Sequence, residues 1–267
     1  MTVPYGLYSY GLVDQIPKHL DILGIDKKNK VYPVMGSEMC VMVSVVDIEQ
    51  FQHQVKDLLA GLNTGSVQES IEEMLQAHER VITALMQEAT VVPLKFGTIL
   101  KDEEAALEML QDSEEEFQSL LAKFTGRAEW GLKVYADKQA LRERIVRLEP
   151  KFASLGEKRE KLSRGAAYLL GRKVEEEVND HIAAWLAKVT EEIFQELGKE
   201  AYEAKLSGIL PQKVTGKENE MVLNAAYLVE REKTARLCEE GKRFMEKYAF
   251  IGLNLELSGP WAPYHFT

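Results

Sequence analysis

The sequence lacks the motifs that mark common catalytic and nucleotide-binding sites. None of the patterns G-x-G-x-x-G, G-x-x-x-x-G-K-[ST] and G-x-S-x-G occurs along the chain. His78-Glu79 begins like the H-E-x-x-H helix of zinc proteases, but position 82 is Ile82, so the second imidazole is missing. We therefore expect that the protein is not an enzyme and that it holds no cofactor and no metal ion.

Cysteine is scarce, which limits the redox chemistry open to the protein. The chain has 2 cysteines, Cys40 and Cys238, both in apolar contexts and outside any C-x-x-C pair. Free cysteines are among the most buried residue types. The sequence therefore predicts two buried, reduced thiols, with a disulfide or a redox role as the less favoured alternative.

Positive charge and long apolar runs are also in short supply. The 33 lysine and arginine residues are outnumbered by 43 acidic ones, for a formal net charge of −10. Because phosphate binding needs clustered basic residues, we expect no nucleic-acid partner. The longest apolar run, Met39–Val46, is too short to span a bilayer. Residues Met1–Asp14 lack the basic start and apolar core of a signal peptide. We expect a soluble, cytoplasmic protein without membrane contact.

The first half of the chain mixes strand and helix patterns. A helix over residues 66–89 leads into the short extended segment Thr90–Val92, and Thr125–Arg127 breaks the last helical pattern. We place the end of an N-terminal α+β domain there, at residues 1–126. Its other predicted elements are strands at Gly6–Val13, Val31–Val34 and Glu38–Val46, and helices at 48–60, from Asp102, and from Ser113 to Phe124.

The second half predicts an α+β domain over residues 127–257. A charged helical insertion, at about residues 157–198, follows the first strand and the first helix of this domain. Without that insertion the order is β-α-β-β-α-β, the ferredoxin-like split motif. The remaining predicted elements are a strand at 129–134, a helix at 137–148, strands at Tyr202–Pro211 and Glu220–Val229, a helix at Glu230–Tyr248 and a strand at Ile251–Leu257.

The C-terminal tail, residues 258–267, carries large apolar side chains on a chain end. Pro260 and Pro263 are expected to prevent the tail from continuing the last strand in regular pairing. Burial of Trp261, Tyr264 and Phe266 is worth about 2 kcal/mol each by area. We therefore expect the tail to form a strap that packs on the domains; a peptide presented to a partner is the alternative.

Histidines and carboxylates elsewhere do not form a recognisable site. His78 shares a helical stripe with Ile82, which predicts a structural histidine, half-buried and hydrogen-bonded to a neighbouring strand. His181 has no second histidine within a helical turn. The triplets 114–116 and 175–177 are glutamates that fan out around a helix instead of converging. We expect His181 and the two glutamate triplets to lie on solvated helix surfaces.

Three segments of the chain carry a resemblance to a known family. They are Tyr5-Gly6-Leu7-Tyr8, the stretch HERVITALMQEATVVPLKFGTIL from His78 to Leu100, and Leu257–Phe266. The last is similar to a terminal GPWPPYxF signature, with Ala262 where proline is common. The whole chain thus resembles the gas vesicle accessory family GvpF/GvpL. Within the middle segment the structural candidates are His78, Pro93, Phe96 and Gly97.

The resemblance implies a role in building gas vesicles, the hollow protein-walled organelles that give buoyancy. It implies an accessory or minor structural protein, associated with the vesicle, that contacts the small hydrophobic shell protein GvpA and other accessory proteins. Since exposed apolar patches aggregate, such a protein could act like a chaperone and keep GvpA soluble. Two alternatives stay open: a regulatory ferredoxin-like module that binds a small ligand, and an enzyme with a composite site that uses His78, His181 and scattered carboxylates.

Overall fold

The computed structural model describes residues 5–59, 65–148, 151–152 and 163–267, without the side chains of residues 54–71 and 148. The chain divides into two compact units. Unit 1 comprises residues 1–129 and 260–267, and unit 2 comprises residues 130–259. Each unit contains one sheet and its own hydrophobic core. The mixed α and β architecture expected from the sequence is confirmed.

Unit 1 combines a five-stranded antiparallel sheet with helices. The strand order is β2-β3-β1-β4, and β5 also pairs with β1. The elements are β1 (Tyr5–Val13), β2 (Tyr32–Met35), β3 (Cys40–Asp47), α1 (Ile48–Leu59), α2 (Gly65–Glu88), β4 (Val91–Pro93), β5 (Ile99–Leu100), α3 (Glu103–Asp112) and α4 (Glu114–Phe124).

The central strand β1 is buried almost throughout and supplies the tyrosines of the core. Tyr8 and Tyr10 are fully buried and pack with Val81, Ile82 and Leu85 of α2. A bulge after Ser9 shifts the register of β1 against β3. Tyr8 and Tyr10 share a face because side chains alternate along a strand, and since the bulge exchanges the faces after it, Val13 and not Leu12 joins them in the cluster.

Each unit contains one cysteine, and both cysteines are reduced. Cys40 on β3 is buried, and burial raises the pKa of its thiol to about 11. A thiol with so high a pKa carries almost no thiolate at neutral pH, which makes it unreactive. Cys238 is half-buried and also free. Both thiols are free, as the sequence predicts, but Cys238 is less buried than predicted.

Aspartate side chains begin helices in both units. The carboxylates of Asp47, Asp102 and Asp137 each accept a hydrogen bond from the amide three residues later, at 3.0, 3.0 and 2.9 Å respectively. Each bond satisfies a backbone donor that the helix itself leaves unpaired. These short-range contacts fix where α1, α3 and the first helix of unit 2 begin.

Unit 2 has a four-stranded sheet with the order β7-β8-β6-β9. Its longest element is a 35-residue helix, α6. Residues 153–162, which include the start of the predicted insertion, lie outside the described part of the chain. The elements are β6 (Arg127–Ala136), α5 (Lys138–Leu148), α6 (Arg164–Gly198), β7 (Glu203–Leu206), α7 (Gln212–Thr215), β8 (Glu220–Glu230), the 3-10 turn Arg231–Lys233, α8 (Thr234–Ala249) and β9 (Leu253–Trp261).

The strand predicted at Tyr202–Pro211 is too long. In the structure β7 ends at Leu206, and residues 207–211 are irregular. The side chain of Asn224 donates to the carbonyl of Gly208 at 2.8 Å, so a side chain takes the place of the backbone ladder there. Pro211 then precedes the short helix α7, which lies where the sequence predicts only a loop. Proline favours the position just before or at the start of a helix.

The expectation that Pro260 ends regular strand pairing is also wrong. Strand β9 begins at Leu253, after a turn at Gly252 with a positive φ of 102°, and continues through Pro260 to Trp261. β9 lies at the edge of its sheet. An edge strand tolerates proline, since the missing N–H falls on the side that has no neighbouring strand.

Candidate functional site

His78 lies at the centre of a buried polar cluster in unit 1. Its side chain is 1% exposed, more deeply buried than the sequence suggests. Nδ1 of His78 lies 3.0 Å from the Tyr8 hydroxyl on β1, and Nε2 lies 2.9 Å from the Tyr264 hydroxyl of the tail. The His78 ring also stacks on Tyr10. The cluster therefore connects the first strand, the helix α2 and the C-terminal tail.

The hydrogen bonds of this cluster form a chain with one direction. The Tyr264 hydroxyl donates to Glu79 Oε1 at 3.1 Å, so its oxygen is free to accept from His78 Nε2–H. His78 Nδ1 then accepts from the Tyr8 hydroxyl, whose oxygen accepts from the Gly97 amide at 3.1 Å. A neutral imidazole has one donor and one acceptor, and both are satisfied here. The partners thus select the Nε2–H tautomer.

Burial sets the protonation states of the cluster. It lowers the pKa of His78 to about 4, which keeps the ring neutral at pH 7. It also raises the pKa of Tyr8 and of Tyr264, so both phenols stay protonated. Burial raises the pKa of Glu79 as well, although the Tyr264 hydrogen bond opposes that effect. At neutral pH the imidazole and both phenols are therefore uncharged.

The tail makes further contacts within unit 1. The Glu129 carboxylate is buried and accepts from the His265 amide at 2.9 Å and pairs with the His265 ring at 2.6 Å. Phe266 is 2% exposed, and Lys123 lies 5.7 Å from its ring centroid. Ala262 belongs to the core cluster of the unit, whereas Trp261 is 42% exposed. Of the three large side chains predicted to pack, Tyr264 and Phe266 are therefore the two that are most enclosed in unit 1.

The other candidates of the middle segment lie around the same cluster. Phe96 packs edge-on against His78, with 5.7 Å between the ring centroids. Gly97 adopts a positive φ of 86°, which non-glycine residues rarely do, and aims its amide at Tyr8. Pro93 is buried and pairs with Gly11 on β1. The sequence did not identify Glu79, Glu129 and Tyr8 as members of this site, because only folding brings them to His78 and the tail.

The groups considered for catalysis do not come together. His181 lies on the exposed side of α6, edge-on to Phe152. Glu175 and Glu177 form ion pairs with Arg142 and Lys151. Among the described residues no group of His, Cys, Asp and Glu could hold a metal ion. In the same part of the chain, no helix combines the length and the apolar character needed to cross a bilayer.

Unit 2 exposes apolar side chains that the sequence does not single out. We call four of them, which lie on and just after the edge strand β7, the apolar edge; they are Leu206, Ile209, Leu210 and Val214. Ile209 also lines a groove of about 930 Å³ between α5, α6 and β8. The floor of this groove is apolar, formed by Ile182, Leu186 and Met221 among others, and its rim is charged.

Sequence comparison decides the family. A family model described as "Gas vesicle synthesis protein GvpL/GvpF" matches residues 6–267. The chain belongs to the GvpL/GvpF family. The resemblance found in the three signature segments is therefore confirmed, and with it a role in gas vesicle formation.

Curated relatives of this GvpL/GvpF protein come from bacteria and archaea. Gas vesicle protein L of Streptomyces sp. is 30% identical over 192 residues, which is 72% of this chain and 68% of the relative. Gas vesicle protein L1 of Halobacterium salinarum is 24% identical over 274 residues, covering 100% of this chain and 92% of the relative. The similarity thus extends along the full chain.

A solved structure has the same fold. The crystal structure of the gas vesicle protein GvpF from Anabaena sp. superposes with a TM-score of 0.72 at 23% identity. The match covers 98% of this chain and 97% of the Anabaena chain. In this GvpL/GvpF protein, the three signature segments meet at one place, since Tyr8, His78, Gly97 and Tyr264 form a single hydrogen-bonded chain.

Proposed function

We propose that this GvpL/GvpF protein supports vesicle formation by binding the hydrophobic shell protein GvpA and keeping it dispersed until it is assembled. The observation that carries the proposal is the apolar edge of unit 2, set on a chain with a net charge of −10. Apolar contacts bind an apolar partner, while excess negative charge keeps the complex from associating further. The work takes place in the cytoplasm beside the growing vesicle, with other accessory proteins as additional partners.

The exposure of the apolar edge is large for such side chains. Leu206 is 60% exposed, Ile209 52% and Val214 66%. These three residues fall within one short segment, at the edge of the sheet in which β7 is the terminal strand. Single exposed apolar residues are common, but a run of them beside a sheet edge is typical of a binding surface. An apolar segment of the shell protein could lie along this edge.

A comparison of two sheet edges tests the proposal. Leu206→Asp places a charge in the apolar edge of unit 2, and Met35→Asp places one on the edge strand β2 of unit 1, where Met35 is similarly exposed. Each variant is co-expressed with the shell protein and purified. We expect Leu206→Asp to lower co-eluting shell protein at least ~5-fold, because burying an unpaired carboxylate against apolar surface costs several kcal/mol.

The Met35→Asp variant is the matched control and should retain most of the bound shell protein. Both side chains are exposed, so neither change should lower the melting temperature by more than a few degrees. Equal retention by the two variants would contradict the proposal. Loss by Met35→Asp alone would move the binding surface to the other sheet.

We also propose that unit 2 has the ferredoxin-like topology, with α6 inserted in its first crossover. The support is the strand order β7-β8-β6-β9, in which the first strand, β6, lies between the third, β8, and the fourth, β9. The pair β7 and β8 is antiparallel. This order arises when the elements run β-α-β-β-α-β along the chain.

The tail is proposed to act as an intramolecular strap on unit 1 and not as a peptide offered to a partner. Its support is the burial of Phe266 and the hydrogen bonds of Tyr264 and His265. A segment that must leave such contacts to bind elsewhere would first lose their stabilisation.

A further inference from the structure

The long helix α6 has a line of residues along one flank that are exposed in the described part of unit 2. Its buried residues begin only at Val178 and continue to Leu197. Before the first buried residue, Tyr168 and Leu169 are 63% and 68% exposed, which is unusual for such large apolar groups. Tyr168 lies 18 residues, or five turns, before Leu186 and so continues the buried stripe, whereas Leu169 lies beside it. We call the following exposed residues the outer face of α6: Gly165, Leu169, Arg172, Glu176, Asp180, Ala183 and Ala187.

The spacing of these residues places them in one line along the helix. Successive members of the outer face lie 4, 3, 4, 4, 3 and 4 residues apart. Six steps over 22 residues average about 3.7 residues, close to the 3.6 residues of a helical turn. With a rise of about 1.5 Å per residue, the line is about 33 Å long. It is long enough to pair with another helix over several turns.

The same spacing is symmetric about Glu176. Arg172 lies four residues before Glu176 and Asp180 four residues after it, and these two have opposite charge. Leu169, which is large and apolar, lies seven residues before Glu176, and Ala183, which is small, lies seven residues after it. A helix that is reversed and laid against itself about this centre would therefore bring unlike charges together and set a large side chain against a small one.

Within the part of the chain that the structure describes, three charged residues of the outer face form no ion pair. Glu175 and Glu177 pair with Arg142 and Lys151, but none of the ion pairs found among the described residues involves Arg172, Glu176 or Asp180. The first ten residues of α6, 164–173, contain three basic residues and no acidic one, and residues 175–180 contain four acidic residues and no basic one. On the outer face itself the charged residues are Arg172 before the centre, Glu176 at the centre and Asp180 after it.

We propose that the outer face of α6 binds the outer face of a second copy of this chain, antiparallel and about a two-fold axis at Glu176. Arg172 of each copy then pairs with Asp180 of the other, and Leu169 packs on Ala183. A two-fold interface of this kind needs one self-complementary surface, and the symmetric spacing supplies it. Lys173 of the second copy lies beside the axis and offsets the repulsion between the two Glu176 carboxylates.

The groove of unit 2 adds an apolar contact to this arrangement. Asp180, Ala183 and Ala187 of the outer face also line that groove. In the antiparallel pairing, Tyr168 and Leu169 of the second copy arrive beside Ala183, at the mouth of the groove. Two exposed apolar side chains thereby meet an apolar floor that includes Leu186. The same pairing occurs twice, because the axis relates the two copies.

The area of the outer face indicates how strongly the two copies associate. A strip about 33 Å long and roughly 10 Å wide buries about 300 Å² on each copy, and a standard interface buries about 800 Å² on each side. The dimer is therefore weak, with a dissociation constant in the micromolar range or above. Sedimentation velocity from about 5 to 300 μM should show a rise toward the dimer mass, since weak association needs high concentration.

Cysteine cross-linking tests the antiparallel geometry directly. In a Cys238→Ser background, Glu176→Cys lies on the axis and should yield a disulfide-linked dimer under mild oxidation. Ala183→Cys is the matched control, exposed on the same line but seven residues from the axis. Its two copies would lie about 20 Å apart, far beyond disulfide reach, so it should not cross-link alone. A mixture of Leu169→Cys and Ala183→Cys chains should cross-link.

Charge reversal supplies a second readout on the purified protein. Arg172→Asp should abolish concentration-dependent dimerisation, because it creates two like-charge contacts, and the double variant Arg172→Asp/Asp180→Arg should restore it. Equal cross-linking at positions 176 and 183, or association unchanged by Arg172→Asp, would overturn the proposal. A monomer at every concentration up to about 300 μM would also overturn it. If the Arg172→Asp variant of such a monomer lost shell protein in co-purification, the outer face would bind the shell protein instead.

Discussion

Replacing Phe266 with alanine is expected to destabilise unit 1 by about 3–5 kcal/mol, since truncating a buried phenylalanine removes its transfer free energy and leaves a cavity. The ring is 2% exposed and lies against Lys123. It also fixes the end of the tail, so its loss should loosen the contacts of His265 with Glu129. We expect the melting temperature of unit 1 to fall by about 10 °C.

Hydrogen exchange measured by mass spectrometry locates the effect. Peptides of α2 and β1 in unit 1 should exchange at least about a hundred times faster in the Phe266→Ala variant, because each 1.4 kcal/mol corresponds to a factor of ten. Peptides of α6 in unit 2 should change little. Trp261→Ala is the matched control within the tail, since Trp261 is 42% exposed and its truncation should have a much smaller effect. Equal effects of the two changes would contradict an intramolecular strap anchored by Phe266.

His78 is expected to make the stability of unit 1 fall between pH 7 and pH 5. Its pKa is about 4 in the folded protein and about 6.5 in an unfolded chain, so the unfolded state takes up a proton first as the pH falls. The stabilising contribution is complete above pH 6.5 and is lost as the pH falls toward 4. Over 1.5 pH units at 1.36 kcal/mol each, the loss by pH 5 is about 2 kcal/mol.

The tyrosines around the imidazole do not oppose this trend, whereas Glu79 does, because burial raises the pKa of its carboxyl and the folded state then takes up that proton first. Tyr8, Tyr10 and Tyr264 stay neutral in this range because their pKa values are raised by burial. Glu79 reaches the ring only through the Tyr264 hydroxyl. No described side chain bonded to the ring carries a charge that would hold a proton on it. The desolvation of the imidazolium therefore decides the direction of the pH dependence.

Urea unfolding of His78→Gln at pH 7, 6 and 5 measures this contribution. Glutamine keeps a donor and an acceptor but does not titrate, so we expect about 1–3 kcal/mol of destabilisation at pH 7 and a pH dependence flatter by about 2 kcal/mol. His53→Gln is the control, since His53 is exposed on α1 and should leave both quantities nearly unchanged. A pH dependence identical to that of the unmodified chain would contradict a neutral, buried His78.

Local signals explain which parts of the fold were predictable. The apolar run of β3 and the helical stripe of α2 are properties of neighbouring residues, so the sequence indicates them. The end of β7 depends on a side chain, Asn224, that belongs to another strand. The course of β9 through Pro260 depends on its place at the sheet edge. Both are properties of the folded sheet, and the sequence predictions were wrong there.

The polar cluster shows the same limit. The middle segment identifies His78 and Gly97, and the tail identifies Tyr264, but their joint role depends on Tyr8, which is 70 residues from His78 along the chain. Glu129 appears in the sequence as one member of an alternating strand, and only the folded tail makes it a buried acceptor. The apolar edge and the outer face of α6 likewise follow from which sides of their elements stay uncovered.

The most direct test of shell-protein carriage is the partition of the shell protein between supernatant and pellet in cells that express only the shell protein and this chain. The proposal predicts shell protein in the supernatant, co-eluting with this chain, and shell protein in the pellet when the chain is absent. Shell protein that remains in the pellet in both cases, or that becomes soluble without binding this chain, would contradict it. The apolar edge of unit 2 would then need another partner within the vesicle machinery.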